Sequence, residues 1–250
     1  MMSFPINSYI SLMRFLFFLN FLLLFSSCKM LLPSENGSKL DLSKKGLTEV
    51  PTEVYENVDL TILKLFGNQL DSISYRIGEL HNLEELYIGK NNLKTLPKEI
   101  GQLKKLKILS LQYNQIDSLP NELGDLENLE TLWLDQNRLI HLPDSIGKLK
   151  NLKVMQVRFN RLESLPVGLG DCENLSLLYL NRNNLNSLPE ELGNLKKLRE
   201  IYLARSGALV QIPESFCDLR YLEILEISQS CVVPMCLLVL RANRLKIIEN

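Results

Sequence analysis

The chain has 250 residues, which is enough for one large domain or two small ones. Its formal net charge is −1, from 28 basic and 29 acidic side chains, and this balance argues against a dedicated nucleic-acid-binding protein. Leucine fills 55 of the positions, which suggests one packing environment used repeatedly. The chain has only two histidines and five cysteines. These low numbers argue against histidine-based catalysis, a multi-histidine metal site and a dense disulfide scaffold.

A short apolar run lies near the start of the chain, where positions 1–34 carry no acidic side chain. Arg14 precedes the run at positions 15–25, and Ser26, Ser27 and Cys28 follow it. The run is too short to cross a bilayer, because a spanning helix needs roughly 20 residues. A cation, a short apolar stretch and small residues in this order are typical of a secretory signal peptide. We therefore expect residues 1–27 to be a signal and the protein to be exported.

The cysteine behind this run supports a second prediction. The tetrapeptide FSSC, residues 25–28, resembles the lipobox of bacterial lipoproteins. The resemblance implies that Cys28 is lipidated, becomes the first residue after cleavage and anchors the protein in a membrane, with residues 28–38 as a tether. Two alternatives stay open: an ordinary signal peptide with a chance cysteine, or a cytoplasmic scaffold whose first segment is not a signal.

The rest of the chain repeats a unit of 23 residues. Residues 83–105 read LEELYIGKNNLKTLPKEIGQLKK, and residues 106–128 read LKILSLQYNQIDSLPNELGDLEN. One asparagine per unit marks the register, and Lys45 and Ser206 hold its slot at the two ends: Asn68, Asn91, Asn114, Asn137, Asn160 and Asn183. A fixed period of roughly 20–50 residues is the signature of a solenoid, in which each coil stacks on its neighbours.

The consensus LxxLxLxxNxLxxLPxxIGxLxx resembles that of the leucine-rich repeat family over about residues 39–250. The resemblance implies an α/β fold, a right-handed β-α superhelix of about nine coils with a curved parallel sheet on its concave face. We expect the regular solenoid to cover residues 39–230. Residues 231–250 are expected to form an irregular partial repeat.

Side-chain alternation explains the consensus physically. In LxL both leucines point to one face of a short strand, and the residue between them points to the other. The asparagine that follows can bond backbone groups left unpaired by the turn, so we expect a ladder of asparagines inside the solenoid. The segment LPxxIGxL then returns over the convex side, with its apolar pair packed inward.

The residues between the paired leucines should line the concave face, and aromatic side chains gather there. Trp133 is the only tryptophan of the chain, and this slot is expected to expose it. Tryptophan, tyrosine and arginine dominate interface hot spots, so we predict a partner-binding surface, and its arginines predict acidic or hydrogen-bond-accepting groups on the partner. Its predicted residues are Tyr87, Trp133, Tyr179, Tyr202, Arg138, Arg158, Arg161, Arg182 and Arg205.

The last part of the chain breaks the period. A strand-like motif at residues 238–240 follows the Ser230 slot too soon for a coil of roughly 20 or more residues, so we expect no full coil there. The run 231–240 is expected to be loosely packed or covered by a partner chain. The sequence leaves open whether Cys231 and Cys236 form a disulfide if the protein is exported.

No phosphate-binding loop, dinucleotide fingerprint, zinc-protease motif or nucleophile elbow occurs in the sequence. The sequence therefore predicts a non-catalytic protein that binds another protein, with no cofactor, metal, small-molecule substrate or nucleic acid. A glycan- or matrix-binding surface protein and an enzyme with a cryptic site are the alternatives.

Overall fold

The computed structural model describes residues 38–208, 211–241 and 245–250. The predicted signal peptide, Cys28 and all of the tether except Ser38 lie outside the described residues. Within them, no helix is both long enough and apolar enough to cross a membrane.

Within the described residues, ten parallel strands form one sheet, and their order in space is their order in the chain. From β2 to β8 each strand residue pairs with the equivalent position of the next repeat, so that Leu86 pairs with Leu109 and Leu132 with Met155. The predicted solenoid fold is confirmed. The strands are β1 Ser38–Asp41, β2 Leu60–Lys64, β3 Glu85–Tyr87, β4 Ile108–Ser110, β5 Thr131–Trp133, β6 Val154–Gln156, β7 Leu177–Tyr179, β8 Glu200–Tyr202, β9 Ile224–Ile227 and β10 Lys246–Glu249.

A single hydrophobic core runs through the stacked coils. In the fifth coil Leu132, Leu134 and Leu139 are fully buried, as the alternation of the consensus requires. Each fully buried leucine stabilises the fold by ~1.5–3 kcal/mol relative to an exposed one. No coil buries this surface alone, because part of it is covered by the coils above and below.

The chain returns to the sheet through short 3₁₀ helices, and proline precedes all of these except the first. The first coil instead uses the α-helix α1, Thr52–Glu56. Such short returns suit the 3₁₀ geometry, which is stable only over short runs. The seven 3₁₀ helices of the described residues are Tyr75–Glu79, Lys98–Gln102, Asn121–Asp125, Asp144–Lys148, Val167–Asp171, Glu190–Asn194 and Glu214–Asp218.

A column of glycines lets these returns stack closely. A Cβ atom at Gly101, Gly124 or Gly147 would collide with a backbone oxygen of the next coil. Cys217 holds this column in the last 3₁₀ helix of the described chain. The change from glycine to cysteine therefore occurs in the last of the stacked 3₁₀ helices of the described residues.

The C-terminal end differs from the sequence-based expectation. Residues 238–240 belong to the helix α2, Met235–Arg241, and the tenth strand pairs with β9 so that Ile247 lies opposite Leu225. The prediction that no full coil fits after β9 was wrong, because the leucine pattern at 238–240 belongs to a helix and Ile247 fills the core position of the strand.

A disulfide attaches α2 to the preceding return. It joins Cys217 and Cys236, whose Cα atoms lie 5.8 Å apart. The sequence left open whether Cys231 pairs with Cys236, and in the structure Cys231 is a free thiol. Leu237 is buried against the core, whereas Met235 and Val239 are exposed, so the run 231–240 contributes one side of a helix to the end of the solenoid.

Candidate functional site

The asparagines form a ladder that fixes the end of each strand. In Asn137 the side-chain oxygen accepts from the Ile116 N–H at 3.0 Å, and the amide nitrogen donates to the Leu111 and Leu134 carbonyls at 3.0 Å. Asn160 also donates to the Leu134 carbonyl, at 3.0 Å. Such carbonyls accept from two asparagines, so the ladder is continuous from coil to coil.

Ser206 continues the ladder with a different set of bonds. Its hydroxyl donates to the carbonyls of Leu180 and Leu203. A hydroxyl is shorter than an amide, and the Leu185 N–H is instead bonded to the backbone carbonyl of Ser206. The slot therefore tolerates serine. The repeat is one residue longer here, and Tyr202 of β8 consequently pairs with Glu226 of β9, 24 residues later.

The residue before each ladder position has a left-handed backbone. Its φ is 60° at Tyr113, 56° at Phe159, 58° at Arg182 and 57° at Arg205. This conformation costs roughly 1–2 kcal/mol for a residue with a side chain. It recurs because the inward turn of the asparagine requires it, and all four of these side chains are exposed at the edge of the sheet.

The predicted aromatic row runs along the sheet face, the side of the sheet that points away from the core. The strand register aligns Tyr87, Ser110 and Trp133 in successive coils, and Tyr179 with Tyr202 further along. Trp133 is only partly exposed, and Ser110, which pairs with it on the neighbouring strand, is 1% exposed. The sequence predicted that this slot exposes the tryptophan, whereas in the structure the side chain is only partly exposed.

A second row lies on the same face, and the sequence interpretation missed it. Each of its members comes two residues before the aromatic row, and each is partly exposed: Ile108, Thr131, Val154 and Leu177. The available signal was the apolar character of three of these four residues, at a position that the consensus leaves variable. Together with Trp133 and Tyr179, these four residues form what we call the sheet-face patch.

Tyrosine–glutamate pairs bound the patch at both ends. The Tyr87 hydroxyl donates to Glu85 at 2.9 Å, and the Tyr202 hydroxyl donates to Glu200 at 2.7 Å. Desolvation and then the hydrogen bond to Glu85 raise the pKa of Tyr87 to about 12, and the same causes raise the pKa of Tyr202. These phenols are therefore neutral hydrogen-bond donors at physiological pH, and the Tyr202 ring stacks on that of Tyr179 at 4.6 Å.

The indole N–H of Trp133 is buried, and within the described part of the chain it has no hydrogen-bond acceptor. An unmade bond of this kind typically costs ~1–3 kcal/mol. The indole is therefore not in its most favourable polar environment.

Arg158 is already engaged by the protein itself. Its guanidinium donates to the Asp135 carboxylate at 2.9 and 2.6 Å, and its backbone N–H donates to the same carboxylate at 2.7 Å. The carboxylate of Asp135 raises the pKa of Arg158. The guanidinium also lies 5.2 Å from the ring centre of Tyr179, so Arg158 helps to hold the aromatic row in place.

Like Arg158, the other four predicted arginines lie on the segments that follow the strands, which we call the trailing flank. All four are exposed, and one comes from each of four successive coils: Arg138, Arg161, Arg182 and Arg205. Arg182 lies 4.8 Å from the ring centre of Phe159. We call these residues the arginine row.

Other reactive side chains are remote from the patch or already bonded. Both histidines are exposed, as expected. Cys172 is fully buried, and desolvation raises the pKa of its thiol to about 12, so it is not a nucleophile at neutral pH. Glu214 lies near Cys217 and Cys236, but the disulfide uses both of these sulfur atoms.

Comparison with known proteins identifies the repeats. A family model described as a leucine-rich repeat region matches residues 96–179, and a second, described as a leucine rich repeat, matches residues 82–103. No curated protein matches the sequence significantly.

Solved structures resemble the whole solenoid. A leucine-rich repeat protein of Leptospira interrogans is 32% identical, with a TM-score of 0.64, over 85% of this chain and 60% of its own. The plant peptide hormone receptor RGFR1 in complex with RGF2 is 27% identical, with a TM-score of 0.70, over 80% and 33%. The Arabidopsis receptor kinase HAESA, in complex with the peptide hormone IDA and the co-receptor SERK1, is 26% identical, with a TM-score of 0.66, over 80% and 35%.

This chain is therefore shorter than each of these relatives. It spans 60% of the bacterial protein and a third or so of each plant receptor. The consensus, the parallel sheet with its asparagine ladder and these matches together place the chain in the leucine-rich repeat family.

Proposed function

We propose that this protein is a non-catalytic binding module, exported and anchored through lipid on Cys28, and that it binds a partner protein on its sheet face. The sheet-face patch carries the proposal. It combines Trp133 and Tyr179 with three partly exposed aliphatic side chains and one threonine, and polar tyrosine–glutamate pairs bound it at both ends. An apolar centre with a polar rim is the usual anatomy of a protein interface.

The structural relatives support a protein partner. RGFR1 and HAESA were each solved in complex with a peptide hormone. We propose by analogy that the partner of this chain is also a protein or peptide. Aromatic side chains also stack on sugars, so a glycan is the second candidate, and competition by soluble glycans against a captured protein distinguishes the two.

The disulfide supports the export part of the proposal. Disulfides form and persist in oxidising compartments and are rare in the cytosol. The bond between Cys217 and Cys236 therefore agrees with the signal peptide inferred at residues 1–27.

Removal of Trp133 tests the binding surface. The partner is first identified by crosslinking on intact cells, and its affinity is then measured for Trp133→Ala. We expect a loss of about thirtyfold, since an anchor residue typically contributes ~2 kcal/mol or more. Tyr221→Ala is the matched control, because Tyr221 is an aromatic residue 61% exposed outside the patch. Unchanged affinity in Trp133→Ala would place the binding site elsewhere.

Removal of Cys28 tests the anchor separately. One acyl chain holds a protein on a membrane only marginally, so stable anchoring needs two or more chains. We expect Cys28→Ala to be released from membranes or left unprocessed, as measured by detergent partitioning and intact mass. The same partitioning and mass as the wild type would exclude lipidation, and fractionation of cells distinguishes an exported protein from a cytoplasmic scaffold.

A further inference from the structure

The arginine row is a line of cations on the trailing flank. Arg138 and Arg161 each come one residue after a ladder asparagine, whereas Arg182 and Arg205 each come one residue before their ladder residue. Successive coils of a parallel sheet are ~4.8 Å apart, so the arginines recur at about that spacing within each of these two pairs. Between the two pairs the row shifts by two positions along the repeat. Arg182 comes three residues after Tyr179, and Arg138 comes five residues after Trp133. At ~3.3 Å per residue, the row therefore lies at most about 17 Å from the aromatic row.

These arginines have no acidic partner within the described part of the chain. No carboxylate oxygen among the described residues lies within 4.0 Å of their guanidinium nitrogens. Asp117 and Glu163 lie on the same side of the coils, two residues further along each repeat, but neither forms an ion pair with the row. Arg158 differs, because Asp135 already neutralises it.

The leading flank, formed by the segments that enter the strands, shows the opposite arrangement. Its cations face carboxylates on neighbouring coils in five ion pairs: Lys104–Glu127, Lys107–Glu84, Lys150–Glu173, Lys153–Glu130 and Arg199–Glu223. Four of these five cations are lysines, whereas the cations that follow strands β5 to β8 on the trailing flank are all arginines. Arginine suits planar, bidentate recognition of carboxylates better than lysine does.

We infer that the arginine row binds an acidic segment of the partner protein, one that presents carboxylates to successive coils. The inference rests on the proposed function, because the same partner would place apolar side chains on the sheet-face patch. The proposed function already places a partner protein on the nearby sheet-face patch, so a protein is the single occupant proposed for the arginine row as well. The net charge of −1 argues in the same direction.

The experiment compares two variants that lose the same charge on opposite flanks. The first is Arg138→Gln/Arg161→Gln/Arg182→Gln/Arg205→Gln, and the second is Lys104→Gln/Lys107→Gln/Lys150→Gln/Lys153→Gln. The probe is a fluorescein-labelled oligoglutamate peptide long enough to reach all four arginines, and its binding is followed by anisotropy at low and at physiological salt. Circular dichroism melts of both variants establish that they are folded.

We expect the wild type to bind oligoglutamate at low salt and the arginine variant to bind it at least tenfold more weakly. The lysine variant should change by less than twofold, and the salt dependence should decrease only in the arginine variant. Absent binding to the wild type, or equal losses in both variants, would overturn the inference. Arginine-dependent binding of phosphatidylglycerol vesicles or of an oligonucleotide without binding of oligoglutamate would also overturn it.

Affinity for the partner captured on cells separates this inference from the proposed function. If Trp133→Ala no longer binds the partner while the arginine variant still does, the proposed function stands and the inference of an acidic segment is wrong. If both variants keep the partner, the proposed surface itself is wrong.

Discussion

The leading and trailing flanks border the same sheet, and neighbouring coils are joined differently on each. On the leading flank the links are at the surface: ion pairs such as Lys153–Glu130 at 2.7 Å, and exposed asparagines such as Asn128, which donates to the Lys104 carbonyl at 2.8 Å. On the trailing flank the links are mainly inside, in the buried asparagine ladder, and within the described residues Asp135–Arg158 is the one ion pair between its coils. Since the ladder holds the trailing flank from within, its surface side chains need not bind one another, and the arginine row is available to a partner.

The largest expected effect is that of breaking the buried ladder. Asn137→Ala leaves the Ile116 N–H without its acceptor and removes one of the two donors to the Leu111 and Leu134 carbonyls. A buried unsatisfied group costs ~1–3 kcal/mol, so we expect a loss of about 2–4 kcal/mol in the free energy of unfolding by urea.

Asn128→Ala is the matched control for this variant, since it removes one exposed amide on the leading flank. It should cost less than about 1 kcal/mol, because water replaces the lost bond. Equal losses in the two variants would contradict the idea that the trailing flank is held from within.

The next effect concerns the ion pair between Asp135 and Arg158 on the trailing flank. Asp135→Asn should cost about 1–2 kcal/mol, because the Asp135 side chain is only 12% exposed and its hydrogen bonds are charge-assisted. The change also releases Arg158, so binding of oligoglutamate should become tighter. A variant that is less stable but binds oligoglutamate no better would show that Arg158 does not add to the arginine row.

The smallest effect is expected for an ion pair of the leading flank. In Lys153–Glu130 the two side chains are 54% and 41% exposed. Exposed pairs contribute little and are screened by salt, so Lys153→Gln should change the free energy of unfolding by less than about 1 kcal/mol. A larger loss in urea unfolding would mean that the surface ion pairs, and not only the core, hold the coils together.

The repeat made most of the framework predictable. Its register assigned the buried leucines and the asparagine positions, because alternation along a strand decides which side chains point inward. The same reasoning placed Tyr87, Trp133, Tyr179 and Tyr202 in one row. It missed the second row, of which Val154 is a member, because the consensus leaves that position variable.

The C-terminal segment shows where a local pattern misleads. Leu238 and Leu240 have the spacing of a strand, yet both belong to the helix α2. Period-2 and helical patterns cannot be distinguished over three residues, so only packing against the last return decides between them. The pairing of Cys236 with Cys217 depends on the position of that helix, so it could not be predicted from the sequence either.

The sequence by itself determined the solenoid, its core face and its ladder, since these follow from a short period repeated many times. It also placed five arginines beside the aromatic row. Only the tertiary structure separated Arg158, which Asp135 holds, from the four arginines of the arginine row. The physical reason is that an ion pair depends on side-chain direction and on the exact distance between neighbouring coils, and the repeat specifies neither for its variable positions.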